Sequence, residues 1–113
     1  MHETSVAESV LQIISEAARA DGFCRVRTVV LEIGELASVE VDSLRFCFDA
    51  VLRGSIADGA TVEILVVPGQ GWCAQCAETV PMPELMACCP QCGGTGLQPR
   101  SGQEMRLQSL VVD

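Results

Sequence analysis

The sequence predicts an α+β fold: a small three-stranded sheet with two helices, plus an inserted four-cysteine zinc-binding domain. Three observations lead there. Two stretches repeat apolar residues at helical spacing, and three others are β-branched and strand-sized. Two C-x-x-C pairs, Cys73 with Cys76 and Cys89 with Cys92, lie 12 residues apart between the last two of those strands.

Between Thr4 and Ala20, Val6, Val10, Ile13, Ile14 and Ala17 recur on one helical face, with Glu8, Glu16 and Arg19 elsewhere and Gly22 as the stop. Val26 to Ile33 is nearly all apolar or β-branched, which predicts a central strand closing at Gly34. Asp42 is positioned to cap a second helix from Ser43 to Arg53, whose apolar surface is Leu44, Phe46, Phe48, Val51 and Leu52, with Gly54 ending it. Thr61 to Val67 predicts a second strand, after which Pro68-Gly69-Gln70-Gly71 breaks the pattern. The cysteine segment follows, and Met105 to Val112 reads as a returning strand. The division expected is an α/β domain over residues 1–69 and 100–113 and a zinc-binding domain over 70–99.

The four cysteines carry the most specific chemistry. Two residues between the members of a pair let the chain curl so that both sulfurs face inward, and Cys89-Pro90-Gln91-Cys92-Gly93-Gly94 has the proline and glycines of a tight knuckle. A full thiolate set fills all four positions of tetrahedral Zn²⁺ and leaves none for water, so the centre is expected to be structural. Sulfur ligands alone also admit iron. A redox pair would call for one C-x-x-C beside a βαβ pattern, and disulfides for an oxidising compartment. The opening Met1-His2-Glu3-Thr4-Ser5 has neither the basic region nor the apolar run of a secretory signal. Cys88 would leave three residues before Cys92, so Cys89 is the expected ligand. Cys24, after Phe23, and Cys47, between Phe46 and Phe48, read as small apolar residues in or near a core.

Composition sets outer limits. A chain of 113 residues with 49% hydrophobic content can pack one domain, or one domain and a small appendage. No apolar run reaches the length of a membrane span. Seven basic against fifteen acidic residues give a net charge of −8, which repels a nucleic-acid backbone. The single histidine sits at the extreme N-terminus, and the chain has no lysine for a phosphate-cradling loop, so catalysis has no candidate constellation.

Met1-His2-Glu3, the strand ending Glu32-Ile33-Gly34-Glu35, the segment Ser43-Leu44-Arg45-Phe46-Cys47-Phe48-Asp49, the paired C-x-x-C motifs and the terminal Glu104-Met105-Arg106-Leu107-Gln108-Ser109-Leu110 together resemble the HypA/HybF hydrogenase maturation proteins. The resemblance runs through essentially the whole chain in the same order. It implies a cytoplasmic nickel metallochaperone that helps insert Ni²⁺ into the large subunit of [NiFe]-hydrogenase, acting with the GTPase HypB. Some members of such families also supply urease.

The resemblance assigns nickel to the N-terminus, through His2 with Met1 and Glu3 as further donors. A free α-amine, the deprotonated His2 amide and the imidazole can close successive chelate rings on one ion, a nitrogen-rich field that Ni²⁺ accepts. Such binding displaces protons and should weaken as pH falls. Without the resemblance, His2 reads as a solvated terminal residue. Glu40 falls just before the second helix, where the resemblance places a carboxylate near the nickel end; it also reads as a solvated loop glutamate. Any family mechanism that draws a second imidazole from the zinc region has no counterpart here. Trp72, beside the first cysteine, reads as packing for the knuckle or as a contact surface. Two readings of other classes stand beside the chaperone: a zinc-ribbon adaptor for protein or nucleic acid, which the acidic charge disfavours, and a redox enzyme cycling Cys73 and Cys76. The sequence leaves the oligomeric state open.

Overall fold

Val6, Val10 and Ile14 recur every four residues along the first helix, and they are the positions it buries, together with Ala7. In a computed structural model that describes residues 3–113, this helix, α1, spans Glu3–Asp21. Ile13, expected on the same face, is 48% exposed, because it stands about 100° around the helix from Ile14. Strand β1, Val26–Gly34, buries Val26, Val29, Leu31, Ile33 and Gly34. Helix α2, Val41–Val51, buries Leu44 and Phe48 one turn apart. Phe46 projects from its opposite side and is 75% exposed.

The cap of α2 differs from expectation. Glu40, not Asp42, is the N-cap: its Oε2 accepts the Ser43 amide at 2.6 Å. The helical backbone already begins at Val41, so Asp42 lies within the first turn, and the longer glutamate arm reaches the third amide from outside. At the other end the Leu52 amide closes on the Phe48 carbonyl at 2.9 Å.

Strand β2 is Thr61–Val67, and the returning strand is Met105–Val112. Between them lie three strands of four residues each: β3, Gln70–Cys73; β4, Glu78–Pro81; and β5, Gln98–Ser101. The returning strand is therefore β6. One sheet has the order β2-β1-β6, with the most buried strand at its centre; the other has the order β4-β3-β5. In the second sheet β3 pairs antiparallel with both neighbours, Gln70 opposite Pro81 and Cys73 opposite Glu78 on one side, Trp72 opposite Gln98 on the other. Gln70 and Gly71, expected to break the pattern, instead start a strand, with an irregularity in its pairing to β5 between them.

The chain divides into two compact units: residues 1–31, 39–64 and 107–113, and residues 32–38 and 65–106. In the first, α1 packs against α2. Arg27 pairs with Asp113 at 2.5 Å, and Arg45 donates to the Val62 carbonyl at 2.7 Å. Cys47 is half-buried, its Sγ 3.4 Å from Thr4 Oγ1, whereas Cys24, expected in or near a core, is exposed in the connection after α1. In the second unit Leu36, Cys73, Val80, Met82, Cys89 and Leu97 form one apolar cluster. Two of the four motif cysteines are thus themselves core residues.

Three glycines let backbones cross closely in this second unit. A Cβ on Gly34 would stand 1.9 Å from the Gly102 carbonyl oxygen, and one on Gly69 would stand 2.1 Å from the Met82 oxygen. Gly102 itself adopts φ +97°, and its carbonyl accepts the Leu36 amide at 2.7 Å. Glu104 Oε1 accepts the Gly102 amide at 2.6 Å, which holds the Glu104 carboxyl below its ordinary range.

Candidate metal centre

Each cysteine pair is shaped by a turn. Strand β3 ends at Cys73 and β4 begins at Glu78; the reversal between them is completed by Ala77 at φ +54°, in the left-handed region. The second pair closes on itself, with the Cys89 amide donating to the Gly94 carbonyl at 2.9 Å and the Gly93 amide to the Cys89 carbonyl at 2.8 Å. Gly93 takes φ +73°, as the motif's glycine allows.

These turns bring Cys73, Cys76, Cys89 and Cys92 together, with all four sulfurs within 4.8 Å of one another. Among the described residues this is the one group of three or more potential ligands that converge closely enough to hold an ion. Cys73 and Cys92 are 3.7 Å apart, and Cys76 and Cys89 3.9 Å, both links running between the two knuckles. A metal with four sulfurs at about 2.3 Å in a tetrahedron separates each pair by about 3.8 Å. The donor set therefore fits a four-coordinate thiolate site. Cys88 is exposed and lies outside the group.

The thiols need a cation to ionise together. Hydrogen bonding to Cys92, reinforced by burial and by Cys73, pushes the Cys76 thiol up to about 12, because it is held as the proton donor among its neighbours. The Cys92 backbone amide, with that of Gln91, brings Cys89 down to about 7 by donating to its sulfur. The Gly94 amide favours the Cys92 thiolate, but burial and the neighbouring Cys73 outweigh it and leave that thiol raised. Four negative sulfurs within this distance repel one another strongly, so a divalent ion is the natural counter-charge.

The surroundings vary around the group. Cys73 and Cys89 are buried, Cys76 is half-buried and Cys92 is exposed. Trp72 is half-buried, with the Arg100 guanidinium 5.6 Å from its ring centroid, a cation–π pair linking β3 to β5. Gln75, which the sequence does not single out, and Gly94, expected only as a knuckle glycine, both touch Cys92. The C-x-x-C spacing carries no signal for them, since it names ligands and not the groups around them.

The remaining candidates are elsewhere. Met1 and His2 lie outside the described residues. Glu3 is half-buried in the first turn of α1. Glu40 is exposed, and the Ser43 backbone amide that it caps holds its carboxyl below the ordinary value. No helix among the described residues is long and apolar enough to cross a membrane.

Comparison with known proteins agrees along the whole chain. Residues 1–112 match the family model described as hydrogenase/urease nickel incorporation, metallochaperone, hypA. Hydrogenase maturation factor HypA of Dechloromonas aromatica is 55% identical over 113 residues, covering 100% of both chains. The protein of the same name from Albidiferax ferrireducens is 57% identical over the same span. The solution structure of the Ni metallochaperone HypA from Helicobacter pylori superposes with a TM-score of 0.70 at 25% identity, covering 99% of this chain and 97% of that one.

Proposed function

The chain belongs to the HypA family of nickel-incorporation metallochaperones, and from that premise we propose that it binds Ni²⁺ at its N-terminus and delivers it to the large subunit of a [NiFe]-hydrogenase. The observation that carries this reading is the family match over residues 1–112, which includes the Met1-His2-Glu3 opening. His2 supplies the imidazole, with the Met1 amine as a further donor, Glu3 through a backbone nitrogen or its carboxylate, and Glu40 as a carboxylate within the same assignment. A terminal chelate of this kind suits a cargo ion, since it can be loaded and released without opening a closed cage.

The four cysteines hold Zn²⁺. Cys73, Cys76, Cys89 and Cys92 provide sulfur spacings that suit tetrahedral Zn²⁺, and with every position filled the ion stabilises the fold and takes no part in catalysis. The functional division is a nickel-binding part over residues 1–69 and 100–113 and a zinc-binding part over 70–99. The chain is a carrier without enzymatic activity of its own. It acts in the cytoplasm, and nucleotide hydrolysis in the delivery step belongs to the partner GTPase HypB.

Metal analysis and nickel titration of untagged protein test this reading. Wild type should bind about one Ni²⁺ beyond its zinc, and His2→Ala should lose the nickel and keep the zinc. Equal nickel binding by the two proteins would defeat the N-terminal assignment.

A further inference from the structure

The two knuckles place a glutamine at the same position, Cys73-Ala74-Gln75-Cys76 and Cys89-Pro90-Gln91-Cys92. Among the described hydrogen bonds only the first of these side chains reaches a thiol. Gln75 Oε1 accepts from the Cys92 thiol at 3.4 Å, a bond from the first knuckle to the exposed cysteine of the second. Gly94 makes the room for it: a Cβ there would stand 2.8 Å from Gln75 Oε1 and 3.2 Å from Cys92 Sγ. The Gly94 amide also donates to that sulfur, at 3.4 Å. Two polar groups therefore converge on the most exposed of the four cysteines, while Cys73 and Cys89 sit in the apolar cluster.

On a metal, Cys92 is a thiolate and has no proton to donate. A half-turn of the Gln75 amide exchanges Oε1 for Nε2 within the same space and presents an N–H instead. We propose that Gln75 is a positioning residue of the metal centre, its amide seated in the gap left by Gly94 and holding the Cys92 thiolate in place, so that it sets how fast the ion is surrendered. The inference rests on reading the four cysteines as zinc ligands. Loss of an ion from a closed thiolate site begins with detachment of one sulfur, and the most exposed sulfur is the first that solvent or a competing chelator reaches. Two N–H donors fix its orientation and hold the sulfur where the ion needs it, which resists detachment.

Zinc-loaded wild type, Gln75→Leu, Gln75→Glu, Gly94→Ala and Gln91→Leu are mixed with excess chromogenic chelator, and zinc transfer is timed. Cobalt-substituted samples give the sulfur-to-metal charge-transfer band. Gln75→Leu should release zinc roughly tenfold faster, at the low end of what outer ligand partners contribute. Its band should move to lower energy, since a sulfur without its hydrogen bond gives up an electron more easily. Gln75→Glu keeps the shape but has no N–H to offer, so it should release zinc at least as fast, where a purely packing role would be rescued. Gly94→Ala should behave likewise, and Gln91→Leu should match wild type. Release rates and spectra for both Gln75 variants equal to wild type would overturn the inference while leaving the zinc reading intact. A wild type that holds no zinc would overturn the ligand reading and this inference with it.

Discussion

Replacing Gly69 with alanine should damage the cysteine-bearing unit far more than its one added methyl suggests. The new Cβ would stand 2.1 Å from the Met82 carbonyl oxygen and 2.9 Å from Leu36 Cγ. An ordinary carbon–oxygen contact is about 3.3 Å, so the backbones must part by about 1.2 Å. They are tied where they meet: the Met82 amide donates to the Gly69 carbonyl at 2.9 Å, and the Gly69 amide to Glu35 Oε1 at 2.8 Å. Met82 and Leu36 are buried in the same cluster as Cys73 and Cys89. Overpacking costs about 1–3 kcal/mol and a broken buried backbone bond about 1–3 kcal/mol more, so about 2–6 kcal/mol is expected in all, and about 3 kcal/mol where the backbones part without losing the bond entirely. At about 4 °C per kcal/mol, the midpoint should fall by about 12 °C. Trp72 lies in this unit and is the only tryptophan, so its fluorescence during heating of metal-saturated protein is the assay. Gly96→Ala is the control: it meets open space but carries φ +76°, so it bears a left-handed backbone penalty of about 1 kcal/mol and no clash. A Gly69→Ala midpoint within about 4 °C of wild type would refute the steric reasoning, as would an equal loss in both variants.

The cap of α2 predicts an acid-dependent contribution. Because the folded-state value of Glu40 lies below the ordinary 4.5, its stabilisation is complete above that value and fades as pH falls through the lowered one. The difference in melting temperature between wild type and Glu40→Gln should therefore be largest near neutrality and shrink progressively as pH falls below 4.5; a difference that grows in acid would reverse the sign of the argument. In the first unit, Phe48→Ala should cost about 3–5 kcal/mol in denaturant titrations, since the ring is 1% exposed. Phe46→Ala, at 75% exposure, should stay within about 0.5 kcal/mol of wild type, and similar losses in the two would contradict the assigned helix face.

Much of the first unit was legible because its signals are periodic. The Val6, Val10 and Ile14 spacing marks the buried stripe of α1, and the β-branched and apolar residues that dominate β1 mark the strand with neighbours on both sides. Apolarity alone did not separate Phe46 from Phe48, two residues apart and on opposite sides of one helix. Asp42 has the residue type of a cap, yet Glu40 has the position. The short strands β3, β4 and β5 escaped because Gln70, Gly71, Pro81 and Pro99 are poor strand formers in isolation. They pair because neighbouring backbone groups in the folded unit need partners.

What the sequence determined by itself was the ligand grammar and the layout. Two residues between cysteines are enough to aim both sulfurs one way, and alternating or helical apolar spacing is enough to choose strand or helix, because both are local geometry. Tertiary structure alone decided that the two knuckles close on each other at 3.7 and 3.9 Å, that two of their cysteines are buried while Cys92 stays open, and that Gln75 rather than Gln91 meets that open sulfur. Those outcomes depend on which distant segments come together in space, and no spacing along the chain encodes the gap that Gly94 leaves beside them.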